Sequence, residues 1–240
     1  MKRREFLKAI IASPLLLSGC GAIKSIRGLT MREKLVLAEN GRSEYRIVIS
    51  KEASPSERHA ARELQSFLKQ IANVELPIVT DEAEMSGKEI ILGRNRHLEG
   101  LNVDIDWGRL GDEGFRIVTV HPHLVIAGGR LRGTMYGVYT FLESLGCRWF
   151  TSKVSRIPRM DRVEVGPMDE TQVPVLEYRE PFYTDAFDGD WAARNKANGT
   201  HHRLDKTRGG KVKYSHFVHT FYSIIPPDKY FAEHPEYFSE

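Results

Sequence analysis

A glycine-rich run, Gly128-Gly129-Arg130-Leu131-Arg132-Gly133-Thr134-Met135-Tyr136-Gly137, constrains this 240-residue chain more than any other stretch. Two apolar segments precede it, residues 114–120 and 123–127, with His121-Pro122 between them. Their patterning predicts an antiparallel strand pair. Past the first glycines, Met135, Val138, Tyr139 and Leu142 recur at helical spacing. That predicts a helix with an apolar face, laid back across the sheet. A glycine inside a helix costs about 1 kcal/mol relative to alanine. Gly133 and Gly137, four apart, therefore imply a close backbone approach, helix against strand, and Gly146 supplies the helix stop.

The flanking chain has its own local signals. Residues 35–39 and 45–49 read as strands around an Asn40-Gly41 turn. Ser54, Pro55 and Glu57 have the spacing of an N-cap, a first helical residue and a capping box. The helix they start should run to about Ala72, with Ala61, Leu64, Leu68 and Ile71 as its apolar stripe. Residues 76–80 and 89–93 read as strands, 94–112 as a long loop carrying Trp107, and 149–150 and 162–165 as closing strands. Residues 167–174 are polar with two prolines and read as a linker. Residues 175–183 read as one more strand.

The N-terminus carries targeting information. Lys2, Arg3, Arg4 and Lys8 precede a short apolar core, residues 9–17, well under the ~20 residues of a membrane span. Leu17-Ser18-Gly19-Cys20 looks like a lipobox with Cys20 as the lipidated residue, and Arg3-Arg4-Glu5-Phe6-Leu7-Lys8 resembles a twin-arginine export signal. Residues 1–19 hold four positive charges and one negative, which accounts for the whole net charge of +3. The remainder is formally neutral, so no nucleic-acid-binding surface follows from the charge. Cys147 is then the single other cysteine and reads as a buried free thiol.

The run 126–150, with its Arg-x-Arg-Gly-Thr-x-Tyr-Gly-Val-Tyr-x-Phe-Leu-Glu core and Leu-Gly-Cys-Arg-Trp-Phe ending, resembles the small domain that precedes the catalytic barrel in alpha-glucuronidase-like bacterial glycoside hydrolases. It is more distantly similar to the N-terminal domain of beta-N-acetylhexosaminidases. The expected fold is α+β: a mixed sheet with helices packed on one face, followed by the first elements of an incomplete (β/α) barrel. The expected layout is a signal peptide at 1–20, a tether at 21–34, an accessory domain at 31–166, a linker at 167–174 and a barrel start at 175–240.

The resemblance also directs attention to the second segment. Its relatives carry a Tyr-Arg pair on the first barrel strand, here Tyr178-Arg179, so Arg179 is a candidate contact for sugar hydroxyls or a sugar carboxylate. A structural ion pair, with Glu177 as a partner, explains it equally well. Residues 184–191 would lie at the functional end of a barrel strand. There Tyr183, Asp185 and Trp191 are candidate sugar-lining residues, while Asp188 and Asp190 read as turn or cap residues, Asp190 capping 191–197. His219-Thr220-Phe221-Tyr222 matches a stretch of the relatives and makes His219 a further candidate. His201 and His202 read as loop residues. His216 and His219 have no third ligand fixed beside them, so no metal and no cofactor are expected.

Glycoside hydrolysis needs two positioned carboxyl groups. Glu177, Glu180 and Asp185 do not match the relatives' catalytic positions, and the 66 residues after Pro174 fall short of the about 200–250 of a barrel. The expectation is the front end of an exported, lipid-anchored, carbohydrate-degrading hydrolase, truncated or split from its catalytic acids. A non-catalytic surface module that binds glycan or protein is the alternative, and a metal-dependent esterase or nuclease a third. Expected partners are a carbohydrate and, through lipid alone, a membrane at the cell envelope.

Overall fold

The computed structural model describes residues 33–216 and 218–239. Residues 1–32, which include the expected export signal and Cys20, lie outside them. In chain order the elements are β1 (Leu35–Glu39), β2 (Arg46–Ile49), α1 (Pro55–Ala72), β3 (Ile78–Thr80), β4 (Glu89–Leu92), α2 (Arg96–Gly100), α3 (Trp107–Leu110), β5 (Phe115–Val120), β6 (His123–Gly128), α4 (Gly133–Ser144), β7 (Arg148–Trp149), β8 (Ser155–Arg156), β9 (Arg162–Val165), β10 (Asp169–Gln172), α5 (Gly189–Arg194), α6 (Phe221–Ile224) and α7 (Pro227–Tyr230).

Six strands form one mixed sheet in the order β10-β5-β6-β4-β2-β3. β2, β3, β4 and β6 run parallel, while β5 pairs antiparallel with both β6 and β10. Strand alternation sends Ile90, Leu92, Ile117, Leu124 and Ile126 into the core shared with α1 and α4. Ile91, Val118, Val125 and Ala127 point the other way, onto Leu98, Ile105 and Leu110. The two long helices thus share one face. Residues 94–112, expected as a plain loop, fold into α2 and α3 because the opposite face is apolar too and must be covered.

Local signals are realised where they were strongest. Ser54 caps α1, its side chain accepts from Glu57 N–H, and the Glu57 carboxylate accepts from Ser54 N–H. Asn40 and Gly41 turn with positive φ, and Glu39 and Arg42 exchange both backbone hydrogen bonds. The hairpin stops there: β1 leaves to pair with β9 in a separate two-stranded sheet, and β2 enters the main sheet. Residues 167–174, expected as a linker, contain β10, which completes the sheet edge by pairing with β5. Residues 175–183 form no strand. Pro174 and Pro181 lack N–H donors, and Val175 and Leu176 are exposed, so no ladder or core holds an extended run there. Among the described residues no helix is long and apolar enough to cross a membrane.

The glycine run makes the close approach its spacing implied. A Cβ on Gly137 would press on Ile126 Cγ2 at 2.7 Å, the contact of α4 with β6. A Cβ on Gly133 would fall on the Gly114 carbonyl oxygen, which is backbone and cannot swing aside. Gly133→Ala should therefore lower stability by about 1–3 kcal/mol, the usual cost of overpacking. Gly100→Ala, with open space around it, should change stability by less than about 1 kcal/mol. Urea denaturation of the two variants checks the contrast.

One ionisable cluster is built into the sheet. The fully buried Glu89 carboxylate accepts from Ser86 N–H (2.8 Å) and Arg46 Nη2 (2.7 Å), with His97 Nδ1 at 2.8 Å. Burial opposes its charge, but these partners outweigh burial and hold the carboxyl below its ordinary value of 4.5. A depressed carboxyl stabilises the fold above its unfolded pKa, and that contribution disappears as pH falls through the folded value. Unfolding free energy measured from pH 6 to pH 3 should fall, and Glu89→Gln should flatten the slope.

Candidate functional site

The candidate site is the seam along which residues 175–212 lie against the sheet and helices. Its centre is Glu113, in the turn between α3 and β5. Gly114 N–H donates to Leu110 O at 2.8 Å, and Arg132 and Gly133 N–H both donate to Asp112 O at 3.0 and 3.1 Å. The glycine run is thereby stitched to residues 112–114, which brings Arg132 beside Glu113.

Glu113 then binds both sides of the seam. Oε1 accepts from Arg132 Nε at 2.6 Å and from Asn198 Nδ2 at 2.8 Å. Oε2 lies 2.7 Å from Arg179 Nη2, an ion pair that is off the line a hydrogen bond needs. Arg132 Nη1 also donates to Gly209 O at 2.7 Å. Asn198 is fully buried; its Oδ1 accepts from Arg179 N–H (2.8 Å) and its Nδ2 also donates to Glu177 O (2.8 Å). Of the two readings of Arg179, the structure contains an ion pair, made with Glu113 of the first segment and not with Glu177.

A second set of contacts docks α5. Arg194 donates to both oxygens of Glu63 on α1, at 2.8 and 3.2 Å, and its guanidinium lies over the Phe67 ring. Tyr139 Oη donates to the same carboxylate, and burial above all raises its pKa well above 10. Lys196 pairs with Glu143 of α4 at 2.5 Å. Ala186, Trp191, Ala192, Ala193, Ala197 and Leu204 share one core with α1 and α4. That is why α4 is buried almost all round and not on one face alone.

The five candidate sugar-lining residues fall into different surroundings. Trp191 is buried, and the half-exposed Tyr183 ring meets it edge-on at 5.5 Å. Arg179 and Trp191 line a common cavity of about 280 Å³ with Tyr136 of α4. Asp185 accepts from Ser152 N–H (3.0 Å) and Oγ (2.5 Å), and those bonds lower its pKa. His219 is exposed, with φ of 55°. The helix cap moves by two residues: Asp188 accepts from Trp191 N–H, while Asp190 pairs with Arg208 at 2.5 Å. His201 pairs with Glu180, and His202 is fully buried with Nδ1 2.5 Å from Ala186 O. Among the described residues no group of three His, Cys, Asp or Glu side chains is placed to hold a metal. Cys147 is buried, and burial pushes its thiol up to about 11.

Glu113, Asn198 and Arg132 were not singled out from the sequence. Arg132 stood inside the glycine motif, but nothing local marks a carboxylate as the acceptor for side chains 19, 66 and 85 residues away. Glu113→Ala would leave Arg132 and Arg179 without their shared counter-charge. Breaking such a partly buried pair costs about 3 kcal/mol or more. Amide hydrogen exchange should speed up about 100-fold across residues 176–212 while α1 and the main sheet stay protected.

Residues 33–141 match the family described as glycosyl hydrolase family 67 N-terminus, and residues 149–240 match a domain of unknown function, DUF4838. Curated protein sequences give no match. Among solved structures, a family GH115 4-O-methyl-alpha-glucuronidase with specificity for decorated arabinogalactans is similar at 20% identity and a TM-score of 0.53, over 69% of this chain and 25% of that one. A beta-hexosaminidase of Streptomyces plicatus matches at 16% identity and a TM-score of 0.43, over 69% of this chain and 30% of its own. The GH20 beta-N-acetylhexosaminidase from Streptomyces coelicolor A3(2) matches at 18% and 0.41, over 70% and 31%. This chain thus spans a quarter to a third of the length of these proteins. The resemblance carried by residues 126–150 stands: from residue 33 to 141 the chain is similar to the N-terminal domain of alpha-glucuronidase-type glycoside hydrolases, in an α+β fold with a mixed sheet.

Proposed function

We propose that this protein acts in carbohydrate degradation as the accessory domain of a glycoside-hydrolase-like protein, with residues 175–240 leading into its catalytic part. The match of residues 33–141 to the family 67 N-terminus carries the reading. The seam supports it, because the second segment is docked on the first by buried charge and shared core. In this reading Arg179, Asp185 and Trp191 hold the segment in place, and Tyr183 and His219 present the exposed part of a glycan-facing surface. In this reading the catalytic acid pair lies outside residues 33–239, which the pairing of Glu180 with His201 and of Asp185 with Ser152 supports. The protein is exported and anchored through lipid on Cys20. A non-catalytic surface module that binds glycan has the same exposed groups.

The test uses the protein expressed in a bacterium with its own leader. The membrane fraction should contain it, and Cys20→Ser should move it to the soluble fraction. Affinity electrophoresis against uronate-bearing plant polysaccharides should retard it, and Tyr183→Ala with His219→Ala should abolish most of the retardation. Release of reducing sugar by this chain alone would overturn the assignment of the acids. Unretarded migration on every polysaccharide would overturn the glycan reading.

A further inference from the structure

A groove of about 590 Å³ is built wholly from the first segment. Three stretches wall it: the Asn40-Gly41 turn, the end of α1 at residues 69–73, and residues 159–161 leading into β9. Main-chain hydrogen bonds tie the three together. Asn40 N–H donates to Asp161 O at 2.7 Å, Met160 N–H to Ile71 O at 2.8 Å, and Asn73 N–H to Lys69 O at 3.0 Å. Asn40 and Asn73 both hold the left-handed backbone, at φ of 49° and 53°, so the turn and the helix end have defined shapes. The volume falls within the about 300–1,000 Å³ that small-molecule pockets occupy.

The side chains around this groove are polar and uncommitted. Charges beside them are spent: Lys69 pairs with Glu75 at 2.5 Å, and Arg162 pairs with Glu39 and Glu164. Among the described residues, the side chains of Asn40, Asn73, Arg159 and Asp161 have no hydrogen-bond or ion-pair partner. The guanidinium supplies donors, the carboxylate supplies acceptors, and each amide supplies both. Arg159 and Asp161 cancel in charge, so the four groups are neutral as a set. A simple ion would meet one opposite and one like charge there. An apolar molecule would strip water from polar groups and return no hydrogen bonds. Adjacent sugar hydroxyls fit both halves of the set, because each hydroxyl donates once and accepts as well. No aromatic side chain lines the groove, so such a ligand is gripped through its hydroxyl edge and not by ring stacking.

We infer that this groove binds a neutral sugar, its hydroxyls donating to Asp161 and accepting from Arg159, Asn40 and Asn73. The site belongs to the first segment, whereas the glycan-facing surface proposed above belongs to the second. It stands on its own groove and does not need Tyr183 or His219.

Amide NMR titration of the purified full-length protein tests the inference, with neutral trisaccharides of xylose, glucose and galactose as probes and glucuronate and sulfate as charged comparators. Exposed hydrogen bonds each contribute modestly, so at least one trisaccharide should bind with a dissociation constant of about 1 mM. Its shifts should be confined to residues 40–41, 69–73 and 159–161 and to the side-chain amides of Asn40 and Asn73. Both comparators should bind more weakly. Asn73→Gly keeps the left-handed backbone and removes the amide, and Asp161→Asn keeps the shape and removes the charge; each should weaken binding about fivefold. Gly100→Ala, outside the groove, should leave it unchanged. The variants' own amide spectra confirm that they are folded. No shift with any trisaccharide at about 20 mM, well above that constant, would overturn the inference. So would shifts confined to the second segment, tighter binding of glucuronate or sulfate, or full binding by both groove variants. Polysaccharide retardation through Tyr183 and His219 is read separately, so either result can fail alone.

Discussion

The arrangement depends on one carboxylate serving two arginines and an amide. Glu113 sits where the first segment turns into β5, and its two oxygens meet Arg132 from the glycine run and Arg179 and Asn198 from the second segment. A charge this well covered is tolerated only when fully engaged, because desolvation otherwise exceeds the attraction. The geometry around it is correspondingly overdetermined: backbone bonds from residues 132 and 133 to Asp112 fix the turn, and Asn198 pairs with the backbone of Arg179. Stability here lives in the seam as much as in the sheet.

The packing follows from that seam. Trp191, Ala192 and Ala193 reach the core only because α5 is steered onto α1 and α4 by Arg194 on Glu63 and Lys196 on Glu143. α4 consequently has no solvent face to speak of, which explains why its sequence is apolar on nearly every side and not amphipathic in the way of α1. Small residues recur where main chains meet: Gly133 against Gly114 O, and Gly209 at φ 77° against Arg132 and the Leu131 carbonyl. The second of these contacts lies between the two segments, so backbone fit and charge pairing act at the same place.

Much of the first segment was legible in the sequence because its signals are short-range. The Ser54–Glu57 capping box, the Asn40-Gly41 turn, the β5–β6 pair and the Gly133–Gly137 approach each depend on residues within a few positions of one another or on strand alternation. What was not legible depends on distant partners. β1 pairs with β9 across more than 120 residues, and β10 forms from a polar, proline-flanked stretch because β5 presents an open edge. The reverse error has the same origin. Residues 175–183 have strand-like composition, but no strand offers them a partner, and their backbone turns to the Asn198 side chain. In the candidate site, Arg179 and Trp191 stood out by residue type; the carboxylate that organises them did not, since an acidic residue before a strand usually faces water.

β10 has a consequence for where this polypeptide can be divided. It joins the sheet through residues 169–172, past the point where composition alone would place the boundary. A protein ended at Gly166 would keep the glycine motif and both long helices, yet leave the outer flank of β5 with bare amides and carbonyls, the feature that invites strand-to-strand self-association between molecules. Extending it by eight residues would satisfy that flank with the protein's own chain, so a soluble excised domain is one that retains the sheet's last strand.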